Sequence, residues 1–218
     1  MELDRIRRRR SRSAVQALAR ALPLALWALG AAHGAGAAGP EAGGPGRLVL
    51  DPDASRVSFV LGATMHSVKG SLRVERGEIG FDPEGGVADG RVVVDARSAD
   101  TGSGLRDRNM HRDVLESERY PEIVFLPERI AVPRRTDEEA DVELSGVIEI
   151  HGARAPLTVP ASVRREGDHL RIEAEFSVPY VAWGMRDYSN FVLRVAPEVE
   201  VSLDLVARLV EPPLTQAP

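Results

Sequence analysis

In the last third of the chain, apolar and polar residues alternate over three stretches. Val142, Leu144, Ile148 and Ile150 alternate with Glu143, Ser145 and Glu149. Leu170, Ile172, Ala174, Phe176 and Val178 alternate with Arg171, Glu173, Glu175 and Ser177, and Val199, Val201, Leu203 and Leu205 with Glu198, Glu200, Ser202 and Asp204. Successive side chains of a strand point to opposite faces, so each stretch predicts a strand with one dry and one wet face. An antiparallel sheet covered on one side must curl or stack to hide its dry face.

Shorter runs extend the pattern towards the N-terminus. Strands are expected at 48–50, stopped by Asp51-Pro52, and at 56–61. Two more, at 68–74 and 78–81, are expected as a hairpin around Glu75-Arg76-Gly77, where a glycine permits positive φ. A turn over 82–86 precedes a Val-rich strand at 90–95. Residues 105–115 read as a helix with Ser103 at its N-cap and Leu105, Met110 and Val114 on one side. Tyr120-Pro121 breaks the chain before a strand at 123–126. An acidic loop over 136–141 then leads to strands at 142–150, 154–163, 169–179 and 191–209, the last interrupted near Pro197. Eight or nine strands with turn signals at this spacing predict an all-β sandwich or barrel; no βαβ pattern is present.

The first forty residues have another character. Arg5, Arg7, Arg8, Arg9, Arg10 and Arg12 precede an apolar run over 21–32, followed by Ala35-Gly36-Ala37. This is the layout of a cleavable signal peptide, 1–37, and the run is shorter than the roughly 20 apolar residues of a membrane span. A retained amphipathic anchor is the alternative, opposed by Pro23 and the Gly-rich stretch after the run. Residues 38–46 read as a Gly/Pro-rich tether, 47–210 as one domain and 211–218 as a disordered tail. Without 1–37 the chain carries 21 basic and 31 acidic residues. That balance excludes nucleic-acid binding by bulk electrostatics. The absence of cysteine excludes disulfides, thiolate chemistry and Cys-ligated metal.

Candidate chemistry is sparse. His66, His111, His151 and His169 lack the spacing of a metal motif, Ser67-Val68-Lys69 is not an S-x-x-K motif, and no G-x-S-x-G elbow occurs. Asp107 and His111 stand four apart on the expected helix, as an acid/base pair or, more commonly, a surface ion pair. No catalytic residue, metal or cofactor is therefore assigned.

The run Thr101-Gly102-Ser103-Gly104-Leu105-Arg106-Asp107-Arg108-Asn109-Met110-His111, continued by Val114-Leu115-Glu116-Ser117 and Tyr120-Pro121-Glu122-Ile123-Val124-Phe125, resembles the centre of the YceI-like family. Ser58-Phe59 with His66-Ser67-Val68-Lys69-Gly70, and 144–152 leading into Leu157-Thr158-Val159, agree with it in order. The resemblance spans about residues 47–209. It implies an eight-stranded antiparallel β-barrel of lipocalin-like shape with one short α-helix. It further implies a periplasmic protein whose apolar cavity holds a polyisoprenoid or other long-chain lipid. One position departs: many relatives carry His two residues after the Arg-Asp pair, where this chain has Asn109, so no role of that histidine passes to His111.

An eight-stranded barrel either fills with its own side chains or encloses one small ligand. Its inward positions here are mostly Val, Leu, Ile and Ala, and only nine aromatic residues follow residue 37. Small linings leave space, whereas close packing is the rule in protein interiors. The expected lining is Phe59, Phe125, Ile148, Phe176, Val178, Tyr180, Trp183, Phe191 and Leu203, each of which equally suits a packed core. An anionic headgroup would need cations at the rim, from Arg106, Arg108, Arg112, Arg186 or Arg194, whose other reading is solvated surface. Two functions follow: a monomeric or homodimeric carrier of a long apolar lipid, or a filled barrel that contacts a protein partner through its loops or sheet edge.

Overall fold

The computed structural model describes residues 46–64, 66–189 and 194–210. Eight strands run up and down in chain order: β1 (Gly46–Ala63), β2 (Val68–Asp82), β3 (Val87–Asp100), β4 (Glu122–Arg135), β5 (Glu139–Ile150), β6 (Ala153–Glu166), β7 (His169–Val178) and β8 (Val195–Val210). Each pairs antiparallel with the next, and β8 pairs with β1, so the sheet closes into a barrel. Closure leaves no strand free along its whole length, but the β6–β7 ladder covers only Ala161–Glu166 against His169–Ala174, so the mouth half of that seam carries no ladder pairs.

Strands run through two places where breaks are expected. β1 continues past Asp51-Pro52, with its register to both neighbours shifted there. Asp51 Oδ1 accepts from the N–H groups of Asp53 and Ala54, and the Ser55 hydroxyl exchanges hydrogen bonds with the backbone N–H and C=O of Val206. The side chain thus replaces lost ladder bonds and β1 resumes. Glu75-Arg76-Gly77 is likewise a bulge inside a single β2 rather than a hairpin turn, with the register to β3 slipping between Val74 and Arg76. A glycine amid alternation marks a bulge or close approach as readily as a turn. Here the missing Cβ makes room for Leu50, whose Cδ1 lies 2.3 Å from where a Cβ would stand.

The expected helix over 105–115 forms as α1 (Gly104–Asn109) followed by a wider π turn (Met110–Val114). Ser103 occupies the N-cap position but makes no side-chain cap bond; its carbonyl accepts from Asp107 N–H. Tyr120-Pro121 is trans. The connections β1–β2, β3–β4, β5–β6 and β7–β8 all fall at one end of the barrel, here called the mouth. The long β3–β4 and β7–β8 connections, carrying α1 and Trp183, thereby come to the same end.

Pairing places the alternating apolar residues in rings inside the wall. Val57, Leu203, Ala174, Ala161 and Val142 are successive cross-strand neighbours, and Phe59, Val201 and Phe176 form the next level towards the mouth. The core divides into two clusters. One, away from the mouth, gathers Leu50, Val57, Val74, Ile172, Leu205 and Ala207. The other, under the mouth, gathers Ile148, Ile150, Ala155, Val178, Tyr180 and Met185, and of the half-buried side chains packed against the two only Val201 is common to both.

Candidate functional site

The space between these clusters is the candidate site. Inward residues at mid-height, among them Phe59, Val92, Val94, Phe125, Val142, Ala161, Phe176 and Leu203, are only half-buried. Strand β3 shows the contrast sharply. Val93 points outward, flanked by Arg76 and Arg91, which both donate to Glu122, and it is 0% exposed; its inward neighbours Val92 and Val94 keep accessible surface. Val142, Ala161 and Leu203 also line an open groove in the wall, whereas Phe59, Val92, Val94, Phe125 and Phe176 are inward and half-buried away from it.

Two features keep the space between the clusters open. Ala161 and Ala174 stand at inward positions of β6 and β7 and add little bulk. Phe59 lies over the β2 backbone at its cross-strand partner Gly70, where a Cβ would come within 2.3 Å of the ring. Its aromatic ring therefore lines the wall instead of crossing the lumen.

At the mouth two connections are tied together. The Tyr188 hydroxyl donates to Asp113 Oδ2, and Arg112 grips the same carboxylate with two hydrogen bonds while also reaching Asn109. Arg186 lies over the Tyr188 ring, 5.1 Å from its centroid. The Arg112 hydrogen bonds foremost, then that of Tyr188, hold the Asp113 carboxyl well below the usual carboxylate range against the opposing effect of burial. Burial and the Asp113 bond push the Tyr188 phenol up. Beneath this tie Val114, Leu115, Val181 and Trp183 pack on the mouth cluster, and Met185 is buried within it. Partial burial also raises the Tyr180 phenol.

Asp107 and His111 do not pair. The Asp107 carboxylate accepts from the N–H and hydroxyl of Thr101, and it lies below its usual range because those bonds outweigh its burial. His111 meets the Ala99 carbonyl through Nε2 and Ser117 Oγ through Nδ1, each at 2.9 Å. A carbonyl only accepts, so Nε2 carries the proton and, in the neutral ring, Nδ1 accepts from the buried Ser117 hydroxyl. Both residues pin the β3–β4 connection. Among the described residues no group of three His, Asp or Glu side chains gathers to hold a metal ion, and no helix is long and apolar enough to cross a membrane.

Of the expected lining, Phe59, Phe125, Phe176 and Leu203 border the lumen, Ile148, Val178 and Tyr180 are packed in the mouth cluster, and Trp183 covers it. Phe191 lies outside the described residues, as do 1–45 and 211–218. Of the expected headgroup cations, Arg106 is engaged by the carbonyl and hydroxyl of Thr101. Arg108, Arg112, Arg186 and Arg194 are exposed at the mouth. Sequence reasoning missed Val92, Val94, Ala161 and Val201, whose alternation was visible, and Asp113 and Tyr188, which no local pattern marks. An open groove of about 630 Å³ lies in the wall where the β6–β7 ladder ends, lined by Asp141, Glu143, Glu173, Glu175 and Asp204 and also by the inward residues Val142, Ala161, Ala174 and Leu203.

Comparison with known proteins agrees with the fold. The sequence profile of the YceI-like domain matches residues 48–207. No curated protein matches the chain. The crystal structure of Burkholderia cenocepacia BcnA is 21% identical, with a TM-score of 0.59 over 72% of this chain and 98% of that one. A polyisoprenoid binding domain from Saccharophagus degradans, implicated in plant cell wall breakdown, is 18% identical, with a TM-score of 0.58 over 76% and 98%. The Campylobacter jejuni YCEI protein is 16% identical, with a TM-score of 0.51 over 68% and 88%.

Proposed function

Because the chain belongs to the YceI-like domain family, we propose that its barrel binds a long-chain apolar lipid, a polyisoprenoid, and carries it through the periplasm. The observation that carries this reading is the half-buried state of inward apolar residues between two packed clusters. Removal of apolar surface from water, at about 25 cal/mol per Å², supplies the affinity without a covalent step. The similarity to a polyisoprenoid binding domain supports the ligand class.

The lipid enters at the mouth, where opening of the Tyr188–Asp113 tie would part the two long connections over Trp183 and Met185. Arg108, Arg186 and Arg194 stand there to meet an anionic headgroup, with Arg106 and Arg112 holding the connection that presents them. The leader over 1–37 supports export to the periplasm. The rival reading, an envelope interaction module, draws on the open groove in the wall.

The test is native mass spectrometry of the protein exported by its own leader, followed by organic extraction. A stoichiometric prenyl or acyl species is expected. An apo mass that persists after incubation with polyprenyl lipids overturns the reading and transfers its weight to the interaction module.

A further inference from the structure

Charge is distributed unevenly along the barrel axis. The mouth, taken as the described residues of its four connections with Lys69, Asp100, Glu122, Glu149 and Arg154 at the adjoining strand ends, carries eight basic and eight acidic side chains. The remaining described part carries thirteen basic and twenty-one acidic. At the mouth several acidic groups are held by neighbouring side chains. Asp107 is held by Thr101, Asp113 by Tyr188 and Arg112, Glu116 pairs with Arg119 at 3.7 Å and Glu149 with Arg154 at 3.2 Å, both on the surface. Exposed there are Lys69, Arg108, Arg112, Arg119, Arg154, Arg186 and Arg194, against Asp100, Glu118 and Asp187. The molecule therefore presents an end of exposed cations on an anionic body.

The same end carries the most exposed of the large hydrophobic side chains, Leu105, at 65%. It stands in the first turn of α1, between exposed Gly104 and half-buried Arg106, with exposed Arg108 three residues on. Nothing in the fold requires an apolar side chain there: it belongs to neither core cluster. A protruding leucine within a collar of cations is the chemistry of an interfacial contact, in which the apolar tip enters the acyl boundary and the cations meet phosphate.

We propose that the mouth docks on an anionic phospholipid surface, with Leu105 as its inserting side chain and Lys69, Arg108, Arg119 and Arg154 among its electrostatic contacts. The acidic body, repelled by the same surface, fixes the orientation, so the lumen opens towards the bilayer. This deepens the carrier reading by naming where lipid is exchanged, and its geometry stands independently of what the lumen holds. Each basic residue near such a surface contributes about five-fold in partitioning, and salt screens it.

The experiment is co-sedimentation with vesicles of phosphatidylglycerol and phosphatidylcholine in equal parts, against phosphatidylcholine alone, at low and high salt. Binding is expected to the anionic vesicles only, and to weaken with salt. Leu105→Asp is expected to abolish it, and Arg119→Glu with Arg154→Glu to lower it by at least about 25-fold. Arg135→Glu, at the opposite end, is expected to leave it unchanged, and thermal melts verify that each variant is folded. Equal binding to both vesicles, no binding to either, or wild-type binding by folded Leu105→Asp overturns the proposal. Lipid content by native mass spectrometry separates the two readings. A loaded barrel that ignores vesicles defeats docking alone, and an empty barrel that binds anionic vesicles defeats the carrier reading alone.

Discussion

Ala161→Phe distinguishes an open lumen from a filled one. Ala161 points inward on β6 beside Ala174 of β7 and Val142 of β5, and it is half-buried. A benzyl group added there enters the lumen at mid-height. In open space, burial of the ring contributes up to about 1.5–3 kcal/mol, less the cost of ordering it, so the apo protein melts at or a few degrees above the wild-type temperature. In a filled barrel the same ring overpacks the core at a cost of about 1–3 kcal/mol, and at about 2–4 °C per kcal/mol for a chain of this size the melt falls clearly. Ligand binding moves the other way. A ring that excludes one five-carbon isoprene unit removes about 4 kcal/mol at about 0.8 kcal/mol per CH₂, roughly a thousand-fold in Kd. The assay is a thermal melt of each protein without and with a soluble polyprenol, paired with direct titration. A melt lowered by more than about 5 °C together with unchanged polyprenol binding would refute the open-lumen argument.

Gly146→Ala is expected to destabilise by about 1–3 kcal/mol in urea melts, because its Cβ would stand 2.1 Å from the Leu126 carbonyl oxygen, a backbone atom with no side-chain freedom to retreat. Ile172→Ala, in the cluster away from the mouth, is expected to cost about 2–5 kcal/mol, read as a lowered urea midpoint with unchanged slope. Asp113 has a depressed pKa, so its carboxylate stabilises the fold above the unfolded value of about 3.9 and loses that contribution as pH falls towards the folded value. Asp113→Asn is accordingly expected to be less stable than wild type at neutral pH, with the difference closing below about pH 4 in a pH series of melts. Tyr188→Phe, which deletes the bond to Asp113, is expected to speed amide exchange in both long mouth connections while those of the β5 ladder stay protected.

Much of the barrel was legible because alternation is a local signal. Leu170 to Val178 declares by its own pattern which side chains share a face, and the same parity holds in the barrel. The misread points share one cause. Asp51-Pro52 and Gly77 interrupt a strand locally, and only the neighbouring strands determine whether the interruption becomes a turn or a bulge; Val206, about 150 residues away, supplies the bonds that carry β1 through. The mouth tie was invisible for the same reason, since Tyr188 and Asp113 lie 75 residues apart with no shared periodicity.

By itself the amino-acid sequence determined the strand class, the phase of every alternating segment and the family, because these rest on neighbours and ordered short motifs. Tertiary structure alone decided that the sheet closes, that Ala161 stands opposite Ala174 on the inner wall with Phe59 laid flat on Gly70, and that the connections bearing the exposed cations and Leu105 gather at one end. Alternation settles each strand only modulo two residues, whereas closure, lumen width and the company at the mouth depend on register between strands.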